Sequence, residues 1–305
     1  MTMSRLRFHT LDVFTTVRYG GNPLAVVLEA DGLNPGQMQR IAREFNLSET
    51  VFVLKPTRDD TLAKLRIFTP GKEMPFAGHP TVGTACLLAD LGLAPAGDAV
   101  NFVFEENVGL VPIHVQRTTG APTFAQLTAA QAPSYGPEAP PPAVLARLLG
   151  IAEKDIVTVG DRPRTASCGV PFLLVPVRAP EVLAGIQLDI ALLHNALTAA
   201  PLNGWATEVY VYARAYEQDW QARMFAPDLG IFEDPATGSA AAALAGALAL
   251  EAETQNGRLH WTLAQGMEMG RPSYLDLQAE KQAGTVTAVR VGGHAVPVSE
   301  GILYR

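Results

Sequence analysis

Cysteine is scarce in this chain: Cys86 and Cys168 are the only two in 305 residues, and they lie far apart. That count excludes a disulfide scaffold and fits a reducing compartment, although counting alone leaves one bridge open. Charge is sparse as well. At 17% charged residues and a net charge of −7, with no run of five basic residues, the chain is not expected to bind nucleic acid. No window approaches ~18 uninterrupted apolar residues, so no membrane-crossing helix is expected. The opening MTMSRLRFHTLDVF lacks a long apolar core followed by a cleavage site, so no signal peptide is expected and the setting reads as cytoplasmic. His9, His114, His194, His260 and His294 are scattered without metal-ligand spacing, which argues against a metal site. Gly292-Gly293 reads as a turn rather than a phosphate loop, since neither a GxGxxG nor a Walker pattern accompanies it.

What is present is a globular composition, 48% hydrophobic, in a chain long enough for two domains. Arg7 to Phe14 and Leu24 to Leu28 read as a strand pair around the Gly20-Gly21-Asn22-Pro23 turn. Asn34-Pro35 opens a helix, with Asn34 as cap and Pro35 at the first helical position, and Met38, Ile41, Ala42 and Phe45 give it one apolar face. Further strands are expected over 50–54, 64–69, 99–105 and 109–116, with a helix running through Leu91 and stopping at Gly92. The second half reads in the same style, with strands at 155–160, 172–177, 208–213 and 222–226 and helices at 142–150 and 190–199. A strand-rich tail follows over 259–264, 273–278, 284–291 and 293–298. Runs of strands with few helices indicate an α+β fold. The boundary is placed near residue 120, giving an N-terminal lobe over 1–120 and a C-terminal lobe over 121–305 whose last strand could return to the first lobe.

The stretch Glu233-Asp234-Pro235-Ala236-Thr237-Gly238-Ser239-Ala240 joins an alternating strand to an almost wholly Ala/Leu helix. Pro235 suits a first helical position, and first-turn N–H groups near Gly238 and Ser239 would attract an anion. The halves echo each other here. Arg66-Ile67-Phe68-Thr69-Pro70 resembles Arg223-Met224-Phe225-Ala226-Pro227, and His79-Pro80-Thr81-Val82-Gly83-Thr84-Ala85 resembles Asp234-Pro235-Ala236-Thr237-Gly238-Ser239-Ala240. The simplest inference is a duplication, with two helix starts facing a common cleft suited to a small carboxylic acid.

Five motifs in order carry a resemblance to a known family. They are Gly20 to Val27, Asn46-Leu47-Ser48-Glu49-Thr50, Gly78-His79-Pro80-Thr81, Asp234 to Ala240, and Gly270-Arg271-Pro272-Ser273. Together they resemble the phenazine-biosynthesis isomerase (PhzF-like) family, which has the fold of diaminopimelate epimerase. The resemblance implies two pseudo-symmetric lobes, each a mostly antiparallel sheet wrapped around a central helix, with the active-site cleft between them. It implies no metal or organic cofactor, and a homodimer. A glutamate that moves a proton within dihydro-3-hydroxyanthranilate corresponds to Glu49, the GHP histidine to His79 and the DPATGS aspartate to Asp234. Substrate-contacting positions correspond to Ser48, Gly78, Gly238 and Ser239. The epimerase and racemase branch instead places a cysteine at each helix start. Here Gly78-His79 and Glu233-Asp234 stand at those turns, so two-cysteine chemistry is disfavoured.

Each of these residues also has a plainer role open to it. Glu49 could be an ordinary polar residue at a strand start, His79 a satisfied half-buried histidine, and Asp234 a helix cap. Gly238 and Ser239 could simply permit close packing. The sequence therefore supports a cofactor-independent isomerase acting by general acid/base catalysis on a small cyclic or unsaturated carboxylic acid. Two alternatives stand beside it: a non-catalytic small-acid binding protein that retains the cleft, and an epimerase with carboxylate rather than cysteine chemistry.

Overall fold

A computed structural model of the chain describes residues 5–304. One unit holds the chain up to Ala130 together with Arg271–Ser273 and Val291 onward, and the other holds Gln131–Gly270 and Tyr274–Arg290. In the first, β1 (Arg5–Val13) and β2 (Asn22–Val27) pair antiparallel, and α1 (Pro35–Phe45) crosses over to β3 (Glu49–Leu54), parallel to β2. Next, β4 (Ala63–Phe68) runs antiparallel to β3, β5 (Glu73–Met74) turns back on β4, and α2 (Gly78–Asp90) crosses over to β6 (Ala99–Glu106), parallel to β4. An antiparallel meander through β7 (Gly109–Gln116) and β8 (Phe124–Thr128) completes it. Both parallel steps carry a helix, as parallel neighbours require a long crossover.

The second unit repeats this wiring. After β9 (Ser134–Tyr135) and α3 (Pro142–Leu149), β10 (Arg164–Ser167) pairs antiparallel with β11 (Pro171–Pro176). Two short helices, α4 (Pro180–Ala184) and α5 (Ile190–Thr198), cross over to β12 (Val209–Arg214), parallel to β11. Then β13 (Trp220–Ala226) is antiparallel to β12, β14 (Ile231–Asp234) turns back on β13, and α6 (Gly238–Glu251) crosses over to β15 (Gly257–Gln265), parallel to β13. The strands β16 (Ser273–Gln282) and β17 (Thr285–Tyr304) follow. The far half of β17, from Ala295 on, pairs along β1 in the first unit.

The packing follows from the helix compositions. α1 is amphipathic: Met38 and Ala42 lie on Val27, Phe52 and Phe68, and its other face is wet. Asn34 and Gln37 form a reciprocal capping box, each side-chain oxygen accepting from the other's backbone N–H at 2.9 Å. In contrast, α2 and α6 are apolar all round and buried along nearly their whole lengths. Such helices have no wet face to offer and must be enclosed, which is what the strands packed around each helix do. Small residues let the layers close: a Cβ on Gly83 would meet the Leu24 and Val13 side chains at 2.6 Å.

Three local expectations are corrected. Residues 155–160 form no strand: Asp155 ends a tight turn, Ile156 makes a single bridge to Val177, and the rest is loop. The Gly292-Gly293 pair is not a turn but lies inside β17, where a Cβ on Gly292 would come within 2.6 Å of the Phe124 ring. Pro235 is not the first helical residue, since α6 begins at Gly238.

The third correction resets the match between the halves. Arg66 forks onto Glu73 through Nε and Nη2 at 2.7 and 2.6 Å, and Arg223 forks onto Glu233 at 2.8 Å for both bonds. Each guanidinium also stacks on the phenylalanine two residues on, Phe68 or Phe225. Met74 opposes Ile67 as Asp234 opposes Met224. The halves therefore align without a gap as Glu73-Met74-Pro75-Phe76-Ala77-Gly78-His79 on Glu233-Asp234-Pro235-Ala236-Thr237-Gly238-Ser239. His79 corresponds to Ser239, and Asp234 corresponds to Met74. The whole length difference sits in the loop inside the fork, where arginine and glutamate are 7 residues apart in one half and 10 in the other.

The Arg223–Glu233 pair is nearly buried, with side chains 9% and 10% exposed, whereas the Arg7–Glu29 pair is 56% and 76% exposed. Removing one partner of a buried pair strands the other charge. Glu233→Ala is expected to lower unfolding free energy in urea by about 3 kcal/mol or more. Glu29→Ala is expected to cost less than about 1 kcal/mol.

Candidate active site

Glu49 is the first residue of β3 and sits opposite Leu24 of β2. The turn that precedes β2 is held from several sides. Gly21 has φ +63°, and a Cβ there would lie 2.3 Å from the Val13 carbonyl oxygen, so only glycine fits. Arg271 donates from Nε to the Gly21 carbonyl at 2.9 Å, and from Nη2 to Asp12 Oδ1 at 2.5 Å and the Gly20 carbonyl at 2.7 Å. Asp12 Oδ2 in turn accepts from the Tyr19 N–H at 2.6 Å. The next residue, Asn22, is fully buried and brings its Nδ2 to 3.1 Å from His79 Nδ1.

His79 occupies the second position of α2, and its Nε2 lies 3.3 Å from Glu49 Oε2. The ring thus lies between the Asn22 amide on one side and the Glu49 carboxylate on the other. His79 is 3% exposed. Burial pushes its pKa down to about 3, against a smaller opposing effect from a hydrogen bond with the Pro23 backbone. The imidazole is therefore neutral throughout the physiological range. Glu49 is buried as well, at 8% exposed.

The start of α2 has no side-chain cap at Ala77, leaving first-turn N–H groups at Gly78 and His79 without intrahelical partners. Ser48 is half-buried in the turn before Glu49. The first unit thus brings Ser48, Glu49, Gly78 and His79 onto two adjoining elements.

In the second unit, Asp234 is the last residue of β14, buried, and its Oδ2 accepts from the Thr237 hydroxyl at 2.6 Å. Gly238 and Ser239 are the first two residues of α6, equivalent to Gly78 and His79. Gln265, fully buried, ties this corner together. Its Nε2 donates to the Asp234 carbonyl at 2.7 Å and to Thr237 Oγ1 at 3.1 Å, and its Oε1 accepts from the Thr237 N–H at 3.2 Å and the Tyr210 hydroxyl at 2.9 Å.

Sequence reasoning passed over Asn22, Asp12 and Gln265 as individual residues. The GGNP motif was visible, but nothing local ties its asparagine to a histidine more than fifty residues on. Gln265 had no motif at all.

A family profile described as phenazine biosynthesis-like protein (PhzC-PhzF) matches residues 11–301. The chain belongs to this family. It is 45% identical over 298 residues to an uncharacterized isomerase of Mesorhizobium japonicum, covering 96% of this chain and 97% of that one. It is 36% identical to the trans-2,3-dihydro-3-hydroxyanthranilate isomerase of Pseudomonas fluorescens, again covering 96% and 97%. Among solved structures, a PhzF family protein of Bacillus anthracis superposes with a TM-score of 0.86 at 26% identity, covering 99% of both chains. A hydroxyproline epimerase of Agrobacterium vitis, at 13% identity and a TM-score of 0.68 over 100% of this chain and 92% of that one, shares the fold alone. Relatives over nearly its whole length are named isomerases, and this PhzC-PhzF family member is an isomerase.

The family member's thiols are placed for packing. Cys86 lies well inside α2 with Sγ 3.3 Å from the Thr123 carbonyl, and Cys168 lies 3.3 Å from the Ala242 carbonyl. Burial raises both pKa values, that of Cys168 to about 12. Neither occupies a helix start. Among the described residues, no group of three or more His, Cys, Asp or Glu side chains is arranged to hold a metal ion, and no helix is long and apolar enough to cross a membrane.

A neutral His79 has a measurable signature. Its imidazole nitrogens, followed by NMR, are expected not to titrate between pH 8 and pH 5. The unfolded chain takes up a proton near pH 6.5 that the folded chain refuses until about pH 3. The His79 contribution to stability is therefore constant above 6.5 and falls as pH drops through that window. His79→Gln is expected to remove this part of the acid destabilisation in urea titrations from pH 7 to 4. A His79 resonance titrating near 6.5 would contradict the assignment.

Proposed function

We propose that this isomerase moves a proton between carbon atoms of a small cyclic or unsaturated carboxylic acid of the trans-2,3-dihydro-3-hydroxyanthranilate kind, with Glu49 as the proton carrier and no cofactor. The single observation that supports it most is the buried pairing of Glu49 with a neutral His79 beside an uncapped helix start. The Glu49 carboxylate takes a proton from an sp³ carbon of the substrate, and the electron pair spreads through the adjoining unsaturation. The same carboxyl then returns its proton to another carbon of that system, so no oxidant, reductant or water is consumed. His79, 3.3 Å from the carboxylate, tunes or polarises the substrate and, being neutral, does not compete with it for the carboxylate's charge. Gly78 and Gly238 N–H groups, with Ser48 and Ser239, are the proposed contacts to the substrate's carboxylate and hydroxyl oxygens. Asp234, anchored by Thr237 and Gln265, is the proposed second polar group acting on the substrate.

The corresponding thiol mechanism does not fit, because Cys86 and Cys168 are committed to buried carbonyls. General acid/base transfer is typically worth ~10²–10⁴-fold. Glu49→Gln is therefore expected to lower kcat on trans-2,3-dihydro-3-hydroxyanthranilate by at least about 10²-fold while leaving the fold intact by circular dichroism. Near-normal turnover by this variant would remove Glu49 from the role.

A further inference from the structure

The alignment of the halves identifies a second pair of equivalent residues. In the sheets, Ala63 opposes Phe104 and Lys64 opposes Glu105, just as Trp220 opposes Leu263 and Gln221 opposes Ala264. With Arg66 matched to Arg223, the next pair in register is Glu106 and Gln265, each the last residue of the strand that follows its central helix. Gln265 binds the corner from which α6 starts. Glu106 reaches the corresponding corner of α2 through one intermediary: its Oε1 lies 2.6 Å from Thr81 Oγ1, which lies 2.8 Å from the carbonyl oxygen of the N-cap residue Ala77. Gly78 and His79 are held inside the loop this link closes.

We propose that Glu106 is a positioning residue for His79, acting as a neutral carboxylic acid that does for the start of α2 what the Gln265 amide does for the start of α6. A threonine hydroxyl has one proton to give. With that proton on the Ala77 carbonyl, the short contact to Glu106 requires a proton from the carboxyl. Glu106 Oε2 is buried and has no hydrogen-bond partner, an arrangement acceptable for a neutral acid and costly for a carboxylate. Burial raises the Glu106 pKa to about 8, with only the Thr81 contact opposing it. The two carboxylates nearest along adjoining strands are engaged elsewhere, and Lys64 of β4 lies opposite Glu105 rather than Glu106. Glu105, next along the strand, accepts from Thr57 and Thr61, and Glu73 of β5 is occupied by Arg66 and Asn107. From α2 itself the nearest titratable group in sequence is the neutral His79.

The test compares Glu106→Gln with Glu106→Leu. Glutamine supplies an N–H in place of the acid O–H, as Gln265 does. It is expected to keep kcat on trans-2,3-dihydro-3-hydroxyanthranilate and to abolish the loss of activity expected of the parent as pH rises through about 8. Leucine is expected to lower kcat by on the order of 10-fold or more through misplacement of His79, with KM changing less. The kinetic arm rests on the proposed reaction; two spectroscopic arms do not. Infrared difference spectra of the parent minus Glu106→Gln are expected to show a protonated-carboxyl C=O band at pH 7 that fades above about pH 8. His79 ring ¹⁵N shifts are expected to match the parent in the glutamine variant and to move in the leucine variant. The proposal is overturned if no protonated-carboxyl band is present at pH 7, or if the His79 shifts ignore both substitutions. It is equally overturned if glutamine damages kcat as much as leucine. Failure of turnover with the infrared band intact would count against the substrate assignment alone.

Discussion

The bidentate arginine–glutamate fork at the entry to each central helix is the constraint on which the remaining geometry rests. An apolar helix buried on every side has no polar face to fix its rotation or its starting point. Arg66–Glu73 and Arg223–Glu233 supply that fix, because a planar guanidinium meets a carboxylate in one orientation and is stacked on a phenylalanine besides. From each glutamate the chain runs through the same spacing to a glycine that begins the helix. One half thereby presents a histidine at the second helical position and the other presents a serine, while the aspartate comes from the strand end before the helix.

The chemistry follows from which groups that scaffold keeps neutral. His79, enclosed and in contact with Asn22, stays uncharged beside Glu49. The first-turn N–H groups of the helix beside them have no side-chain cap at Ala77, an arrangement that suits an anion. In the proposed reaction a carboxylic acid substrate would gain its binding from those N–H groups, and the Glu49 carboxylate would carry the proton. The proposed proton carrier thus lies outside the helix starts, on β3, where the turn from α1 delivers it.

Much of this was legible in the sequence where the signals are local. The Asn34-Pro35 helix start, the glycine after α2 and the alternating strands all lie where short-range chemistry puts them. The duplication was legible too, but in the wrong register. Matching His79-Pro80 to Asp234-Pro235 paired two prolines that are not equivalent, whereas the sheets match Pro75 to Pro235. The true register depends on arginine–glutamate bonds that span loops of unequal length, and no window of sequence carries that information. The same holds for Asn22 against His79 and for Gln265 against Asp234, contacts made by folding over long separations. The Gly292-Gly293 pair was misread for a related reason: its glycines answer to the close approach of Phe124, not to a turn.

Proton transfer through Glu49 is the central claim, and solvent deuterium tests it most directly. Turnover of trans-2,3-dihydro-3-hydroxyanthranilate in heavy water, followed by NMR, is expected to place deuterium on a product carbon with the parent enzyme. With Glu49→Gln, product and label are both expected to be lost. Carbon-bound deuterium appearing at the same rate in both proteins would show that the proton travels by a route that does not involve Glu49.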